Sequence, residues 1–212
     1  MLRFSIFGIP VRVQPFFWLT LVIIGGATSA RTGDAVFKIL LFVIAGFISI
    51  LVHELGHALT GRKFGAHSEI TLQAFGGYAA FSEGRFTRRQ SFLVTAAGPA
   101  IQIALGFLMA QLLTAMATSL SPNGRYFLWT LMAISYFWAI LNLLPVLPLD
   151  GGQMLNAVLG PARIKITLWV TIVVAIAVGV GMFLQTRLIL FPLFLGMFAW
   201  QAFQALKENS WR

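Results

Sequence analysis

The sequence predicts an all-α polytopic membrane protein with six transmembrane helices and a small β element. Hydrophobic residues make up 58% of the 212 positions and charged residues only 10%, whereas a soluble domain carries about 25% charged residues. Six apolar runs have few or no charges, and each is near the roughly 20 residues that cross a bilayer. These runs are 13–30, 39–61, 91–121, 126–149, 166–186 and 188–206. The length predicts one domain, a single core of residues 1–212.

The positions of lysine and arginine predict the orientation. With the N-terminus inside, eleven of the 15 basic residues fall on the inner side and four on the outer side, and cytoplasmic loops carry such an excess. We therefore expect both termini to be cytoplasmic, in a protein of the plasma membrane. Only Arg187 separates the last two runs, which predicts a tight turn. Despite the net charge of +9, we expect no nucleic-acid binding, since the basic residues form no stripe.

The first 30 residues permit a second interpretation. Basic residues, the apolar run FFWLTLVII and the small residues GGATSA resemble a secretory signal followed by a cleavage site. Cleavage there would remove the first span and leave the orientation of the other five unchanged.

Two stretches are predicted to form the β element. FSIFGIPVRV (4–13) is typical of a short N-terminal strand or an extended amphipathic segment at the inner surface, with an unstructured tail as the alternative. In SEITLQAFGGYAAFSEG (68–84), apolar and polar residues alternate before Gly76-Gly77, which predicts a hairpin joined at the glycine pair. Because this hairpin is apolar, we expect it to dip toward the membrane as a re-entrant loop, where its open edge could bind a peptide strand. A surface hairpin that only shapes the loop is the alternative.

Four ionisable side chains lie in or at the end of the apolar runs: His53, Glu54 and His57 in the second run, and Asp150 at the end of the fourth. Such groups are costly in a bilayer, at about 2.5–3.5 kcal/mol for a buried Asp, Arg or Lys, so they are functional candidates. His53 and His57 share one helix face and could bind a zinc ion through neutral imidazoles. Glu54 could then act as general base. Two core histidines with ordinary hydrogen bonds are the alternative.

A catalytic zinc ion needs a third protein ligand. The extended histidine pattern is broken, because Lys63 stands where its third histidine belongs. Other candidates lie in the following loop: His67, Glu69 and Glu83. Asp150 is favoured over them because the second and fourth spans both run from outside to inside, which places Asp150 and the histidine pair in the same inner half.

The segment NLLPVLPLDGG (142–152) predicts irregular backbone around Asp150. Pro145 and Pro148 break helical hydrogen bonding, and Asp150-Gly151-Gly152 is typical of a turn. Broken backbone at membrane depth is expected at a protein-lined or water-filled site. The amide of Asn142 could stabilise an oxyanion there, or it could make a hydrogen bond between helices.

These motifs together resemble the site-2 protease family of intramembrane zinc metalloproteases. The resemblance rests on HELGH (53–57), NLLPVLPLDGG (142–152), FGIPVRV, the glycine hairpin and AAGPAIQ (96–102). It implies that His53, His57 and Asp150 bind one zinc ion per chain, that Glu54 is the catalytic acid and base, and that Asn142 helps hold the substrate carbonyl. One departure is Gln102, where the family usually has asparagine.

The resemblance also implies a substrate and a subtype. The substrate would be a transmembrane protein, often a membrane-tethered regulator, bound in the lipid bilayer with the hairpin as the receiving loop. With no PDZ-like insert and no C-terminal sensor domain, the chain is most similar to the compact bacterial and archaeal members. A metal-binding membrane transporter or sensor is the alternative function, although it leaves Glu54 unexplained. A pseudoenzyme that binds transmembrane helices is a further one. Oligomeric state and substrate identity are not predicted.

Overall fold

The structure, a computed structural model, describes residues 1–74, 76–82, 85–187 and 189–209. Within these ranges most of the chain is helical, and four strands form a small sheet, so the predicted small β element is present. The elements are β1 Leu2–Ile6, β2 Ile9–Val13, α1 Pro15–Ile24, α2 Gly33–Lys63, β3 His67–Gln73, β4 Gly76–Ser82, α3 Arg88–Ala115, α4 Pro122–Asn142, α5 Asp150–Leu159, α6 Ile164–Thr186 and α7 Leu190–Asn209. A short 3-10 turn, Pro161–Arg163, leads into α6.

Among the described residues, three helical segments have the length and apolar composition of membrane spans. They are Gly33–Lys63, Arg88–Ala115 and Pro161–Thr186. Their length and composition indicate a membrane protein. The first predicted span is shorter than expected, because α1 has only 10 residues and the chain turns at Gly25 and Gly26. Ten helical residues extend about 15 Å, half of a typical hydrocarbon core. Six complete spans therefore stay a prediction.

The sheet lies near the start of the chain, in the order β1-β2-β3-β4. The predicted N-terminal strand is in fact an antiparallel hairpin, whose turn residues Phe7 and Gly8 both have positive φ. β2 and β3 run parallel, with Val11 opposite Ile70. The apolar side chains of β2 and β3 are buried against α1 and α2, and this cluster includes Ile9, Val11, Val13, Phe17, Leu51, Leu55, Ala58, Ile70 and Leu72.

The second hairpin is present, but its turn is not at the glycine pair. Gly76 and Gly77 are the first residues of β4, opposite Gln73 and Leu72. Positions 74 and 75 connect the strands, and position 75 lies outside the described residues, as do 83 and 84. The prediction that Gly76-Gly77 forms the turn is wrong. The physical reason for Gly77 is close packing, since a Cβ there would lie 2.8 Å from the Glu54 side chain.

Contacts divide the chain into two compact units. The first contains Met1–Arg85 and Ala97–Ala139. Besides the sheet, it has a second apolar cluster around Ala45, Met109 and Leu131.

The second unit contains Phe86–Ala96 and Ile140–Arg212. Its core is formed by α6, α7 and the segment before α5, through Val146, Ala175, Leu195, Phe198 and Ala199. Arg187 ends α6 in the left-handed conformation, with φ of 58°. The predicted tight turn continues through position 188, which lies outside the described residues, so it stays a prediction.

The irregular backbone predicted from Pro145 and Pro148 lies at residues 143–149, between α4 and α5. The predicted turn at Asp150-Gly151-Gly152 is wrong, because Asp150 is the first residue of α5. Both glycines lie in the first helical turn, where a Cβ would overlap the backbone of residues 143–147. The segment is fixed from α6 as well, since the Leu147 N–H donates to Thr171 Oγ1 at 3.0 Å.

Candidate metal centre

The helix α2 carries the histidine pair and Glu54. It begins after Thr32, whose Oγ1 accepts a hydrogen bond from the Ala35 N–H at 3.2 Å. It ends with Arg62 and Lys63 in its last turn, where positive charge favours the helix dipole. The turns of α2 that carry His53, Glu54 and His57 are covered by other elements. The exposed fractions there are 3% for His53, 4% for Glu54 and 8% for His57.

The two histidines meet as their spacing predicts. The Nε2 atoms of His53 and His57 are 3.0 Å apart, and the ring planes are nearly perpendicular at 84°. Two nitrogen ligands at 2.0–2.1 Å from a tetrahedral zinc ion would be about 3.3 Å apart. The observed separation is therefore close to that of a metal-binding pair.

Asp150 joins this pair. One ligand atom each from His53, His57 and Asp150 lies within 4.8 Å of the other two, and all three residues are buried. Two imidazoles and one carboxylate form a donor set that zinc uses in catalytic centres, with a fourth position left open. The residues present thus fit a zinc ion.

The other ligand candidates lie elsewhere. His67 is exposed at the start of β3. Glu69 makes an ion pair with Arg12 of β2. Neither belongs to the three-residue group found among the described residues. Glu83 lies outside the described residues.

Glu54 lies against the edge of the sheet. A Cβ at Gly77 would come within 2.8 Å of both Cγ and Oε1 of Glu54. Within the described part of the sheet, β4 pairs with β3 alone. The buried carboxylate is therefore next to the backbone of an edge strand.

Glycines also allow α3 to approach α2 at the histidines. A Cβ at Gly56 would lie 2.6 Å from the Ala97 carbonyl oxygen, and one at Gly98 would overlap the His57 imidazole. Pro99 follows inside α3 and is fully buried. The histidine pair thus packs against the segment AAGPAIQ (96–102) of α3.

Sequence reasoning missed the role of Gln102. This side chain has no exposed surface, and its Oε1 lies 3.0 Å from Nδ1 of His53. Its Nε2 donates to Ser49 Oγ at 2.9 Å and to the Ser49 carbonyl oxygen at 3.3 Å. Ser49 could have been suspected, since it lies four residues before His53 on the same helix face.

Asn142 is the last residue of α4, immediately before the irregular segment. It is partly buried. It lies eight residues before Asp150 in the chain, and its catalytic role stays a prediction.

Comparison with known proteins identifies the family. The profile of peptidase family M50 matches residues 41–123 and 117–185, and the chain belongs to this family. It is 31% identical over 157 residues to a zinc metalloprotease of Methanocaldococcus jannaschii, covering 74% of this chain and 44% of that protein. It is also 31% identical over 147 residues to stage IV sporulation protein FB of Bacillus subtilis, covering 68% and 46%. The chain spans about half the length of these relatives.

A solved structure agrees with this assignment. The fold is similar to that of the site-2 protease from Methanocaldococcus jannaschii, with a TM-score of 0.67 and 25% identity. The match covers 96% of this chain and 94% of the other. The resemblance inferred from HELGH and NLLPVLPLDGG is therefore confirmed.

The glycine contacts generate one prediction. Gly98→Ala should displace the His57 imidazole, because the added methyl would overlap the ring. We expect a loss of bound zinc together with destabilisation by about 1–3 kcal/mol, typical of overpacking. Zinc content by elemental analysis and thermal unfolding in detergent measure the two effects.

Gly181→Ala is the matched control, since nothing lies within 4 Å of a Cβ built at this helical glycine. It should keep its zinc and be as stable as the parent or slightly more stable. Normal zinc content in Gly98→Ala would contradict the close packing described here.

Proposed function

We propose that the chain is an intramembrane zinc metalloprotease, which hydrolyses peptide bonds within or near transmembrane segments of membrane-tethered proteins. The observation that carries the proposal is the buried group His53, His57 and Asp150, with Glu54 beside His53 on a helix that has the composition of a membrane span. Membership of peptidase family M50 supports the reaction type. Such cleavage would release a regulator from the membrane, as in regulated intramembrane proteolysis.

His53, His57 and Asp150 would hold one zinc ion per chain. When bound, zinc would supply Lewis-acid polarisation of a water molecule and of the substrate carbonyl. The Glu54 carboxylate would take a proton from the attacking water, whose oxygen bonds to the carbonyl carbon. It would then give that proton to the leaving amide nitrogen as the C–N bond breaks. The Asn142 amide would donate a hydrogen bond to the carbonyl oxygen, where negative charge develops.

Burial of Glu54 supports this role. The carboxylate is shielded from bulk solvent at 4% exposure, where its interaction with a developing charge is stronger than in water. The β4 backbone at Gly77 packs against the Glu54 side chain, which leaves little room for the carboxylate to move. Glu54 therefore has the position and restraint expected of a general base.

The substrate must present extended backbone. In a helix its carbonyl groups are bonded to N–H groups four residues on, so the cut segment must first unwind, and glycine or proline would make this easier. The edge of β4 could bind the unwound segment by strand addition. Gly77 supports that arrangement, because the strand lies directly against Glu54 at this residue.

The proposed topology has six spans, both termini in the cytoplasm and the site toward the cytoplasmic side of the plasma membrane. The histidines lie 6 and 10 residues before Lys63 at the basic end of α2, which corresponds to about 9 and 15 Å along the helix. This depth leaves them near the inner surface, where water can reach them.

The transporter or sensor alternative is not favoured. Relatives of this chain are described as zinc metalloproteases, and a transport site has no need for Glu54 beside the histidine pair. Substrate identity, the activating signal and the oligomeric state are outside the proposal.

Glu54→Gln tests the reaction. We expect unchanged zinc content and a 10²–10⁴-fold loss of cleavage, the usual contribution of a general acid or base. The assay would follow single-span reporter proteins with glycine or proline in the span, reconstituted with the detergent-purified chain. Glu69→Gln is the control, because Glu69 is paired with Arg12 and does not belong to the His53, His57 and Asp150 group. Cleavage by zinc-loaded Glu54→Gln at the parent rate would rule out the proposed mechanism.

Asp150→Ala tests the metal centre. Loss of one of three protein ligands should reduce zinc affinity severely, whereas Glu69→Ala should leave it unchanged. Chelator competition in detergent measures the affinities. Equal zinc affinity in Asp150→Ala and the parent would remove Asp150 from the proposed ligand set.

Single cysteines test the topology, since the chain has no cysteine of its own. Thr28, Ser119 and Ser82 are exposed in the structure. Thr28→Cys and Ser119→Cys should react with a membrane-impermeant thiol reagent applied to intact cells, and Ser82→Cys should react only after the cells are opened. Protection of Thr28→Cys in intact cells would show that α1 does not cross the membrane.

A further inference from the structure

Three buried polar side chains that the proposed mechanism does not use form a continuous chain with His53. His53 contacts Gln102, Gln102 contacts Ser49, and Ser49 Oγ lies 3.0 Å from Ser135 Oγ. They come from α2, α3 and α4 within the first compact unit. Gln102, Ser49 and Ser135 have no exposed surface. Burying polar side chains among apolar helices costs free energy unless they form hydrogen bonds with one another. Because this chain ends at His53, a proposed zinc ligand, we ask what it does for that ligand.

The contacts of Gln102 fix the orientation of its amide. Its Nε2 faces both the hydroxyl and the carbonyl oxygen of Ser49. A backbone carbonyl oxygen only accepts hydrogen bonds, so the amide NH₂ group must be on this side. The amide oxygen Oε1 is then the atom that faces His53, at 3.0 Å from Nδ1.

The orientation of the amide in turn decides the tautomer of His53. An amide oxygen accepts and cannot donate, so Nδ1 of the neutral imidazole must carry the hydrogen. The other ring nitrogen, Nε2, is left with its lone pair. This is the nitrogen that lies 3.0 Å from Nε2 of His57, on the side of the ring where the three ligand atoms converge.

We propose that Gln102 is a positioning residue for the metal centre, which holds His53 in the Nδ1–H tautomer so that the Nε2 lone pair faces the metal. The inference rests on the proposed zinc site, and it deepens it by naming what orients one ligand. Histidine ligands commonly donate their second ring N–H to an acceptor that fixes the ring. Here that acceptor is a neutral amide held within apolar helices.

Ser49 and Ser135 complete the arrangement. Because Ser49 Oγ accepts from Gln102, its own hydrogen can be donated to Ser135 Oγ. Every donor then points in one direction, from the imidazole toward α4, and such chains of hydrogen bonds strengthen each member. The hydroxyl and the carbonyl oxygen of Ser49 anchor the amide NH₂ group, which prevents the amide from rotating by 180° and presenting N–H to His53.

The tautomer can be measured directly in the metal-free protein. The chain has three histidines, so long-range ¹H–¹⁵N correlation spectra of histidine-labelled protein in detergent are simple, and His53→Gln assigns the signals of His53. We expect the Nδ1–H form in the parent chain. A parent spectrum that shows Nε2–H at His53 would overturn the inference, without bearing on whether the chain cleaves peptide bonds.

Variants at position 102 link the tautomer to the metal. Gln102→Leu removes the acceptor and should lose the Nδ1–H preference and weaken zinc binding 10–100-fold, as measured by chelator competition. Gln102→Glu keeps an acceptor for Nδ1–H and should bind zinc at least as tightly as the parent. Ser135→Ala leaves both Gln102 contacts in place and is the matched control, with parent-like tautomer and affinity.

The outcomes separate positioning from general structure. Weak zinc binding by Gln102→Leu, together with parent-like or tighter zinc binding by Gln102→Glu, supports the inference. Parent-like affinity in Gln102→Leu, or equal loss in the leucine and glutamate variants, contradicts it. Failure of the proposed protease function would appear instead as unaltered cleavage by Glu54→Gln, which none of these measurements involves.

Discussion

The structure depends on placing ionisable side chains inside a helix that has the composition of a membrane span. His53, Glu54 and His57 are each less than a tenth exposed, and such groups cost free energy in an apolar setting unless they are paired. Their neighbours are therefore of two kinds. Some are polar and satisfy them, as Gln102 does for His53. Others are glycines that let backbone come close, as Gly98 does at His57.

The same constraint explains why irregular backbone and strands lie near helices of this kind. Residues 143–149 are not helical, yet their groups are bonded locally and by Thr171, which meets the requirement that backbone polar groups be satisfied away from water. The sheet shields Glu54 from solvent, because β4 has no side chain at Gly77 and its backbone can lie against the carboxylate. Packing and polar satisfaction thus act at the same few positions.

Much of this could be predicted from the sequence because it is recorded in local patterns. The spacing of HELGH placed His53 and His57 together, and Pro145 and Pro148 predicted the break after α4. What could not be predicted depends on a second element. Gly77, Gly151 and Gly152 look like turn residues, but Gly77 permits a close approach to Glu54, and the other two permit a close approach to the backbone of residues 143–147. The partner of Gln102 is likewise on another helix, and the length of α1 depends on where the chain turns rather than on composition.

The parallel pairing of β2 with β3 also sets an order of assembly. The β1–β2 hairpin is local and can form as soon as it is synthesised, but Val11 pairs with Ile70 only after α1 and α2 have been made. Contacts so far apart in the chain close late, because the intervening loop must first lose its freedom. The strand that covers Glu54 is β4, which is synthesised after β3 and pairs with it in a local hairpin. During biosynthesis, therefore, α2 with its two histidines is made before β4, the strand that covers Glu54. The sheet beside Glu54 is complete only when the β1–β2 hairpin has paired with the β3–β4 hairpin.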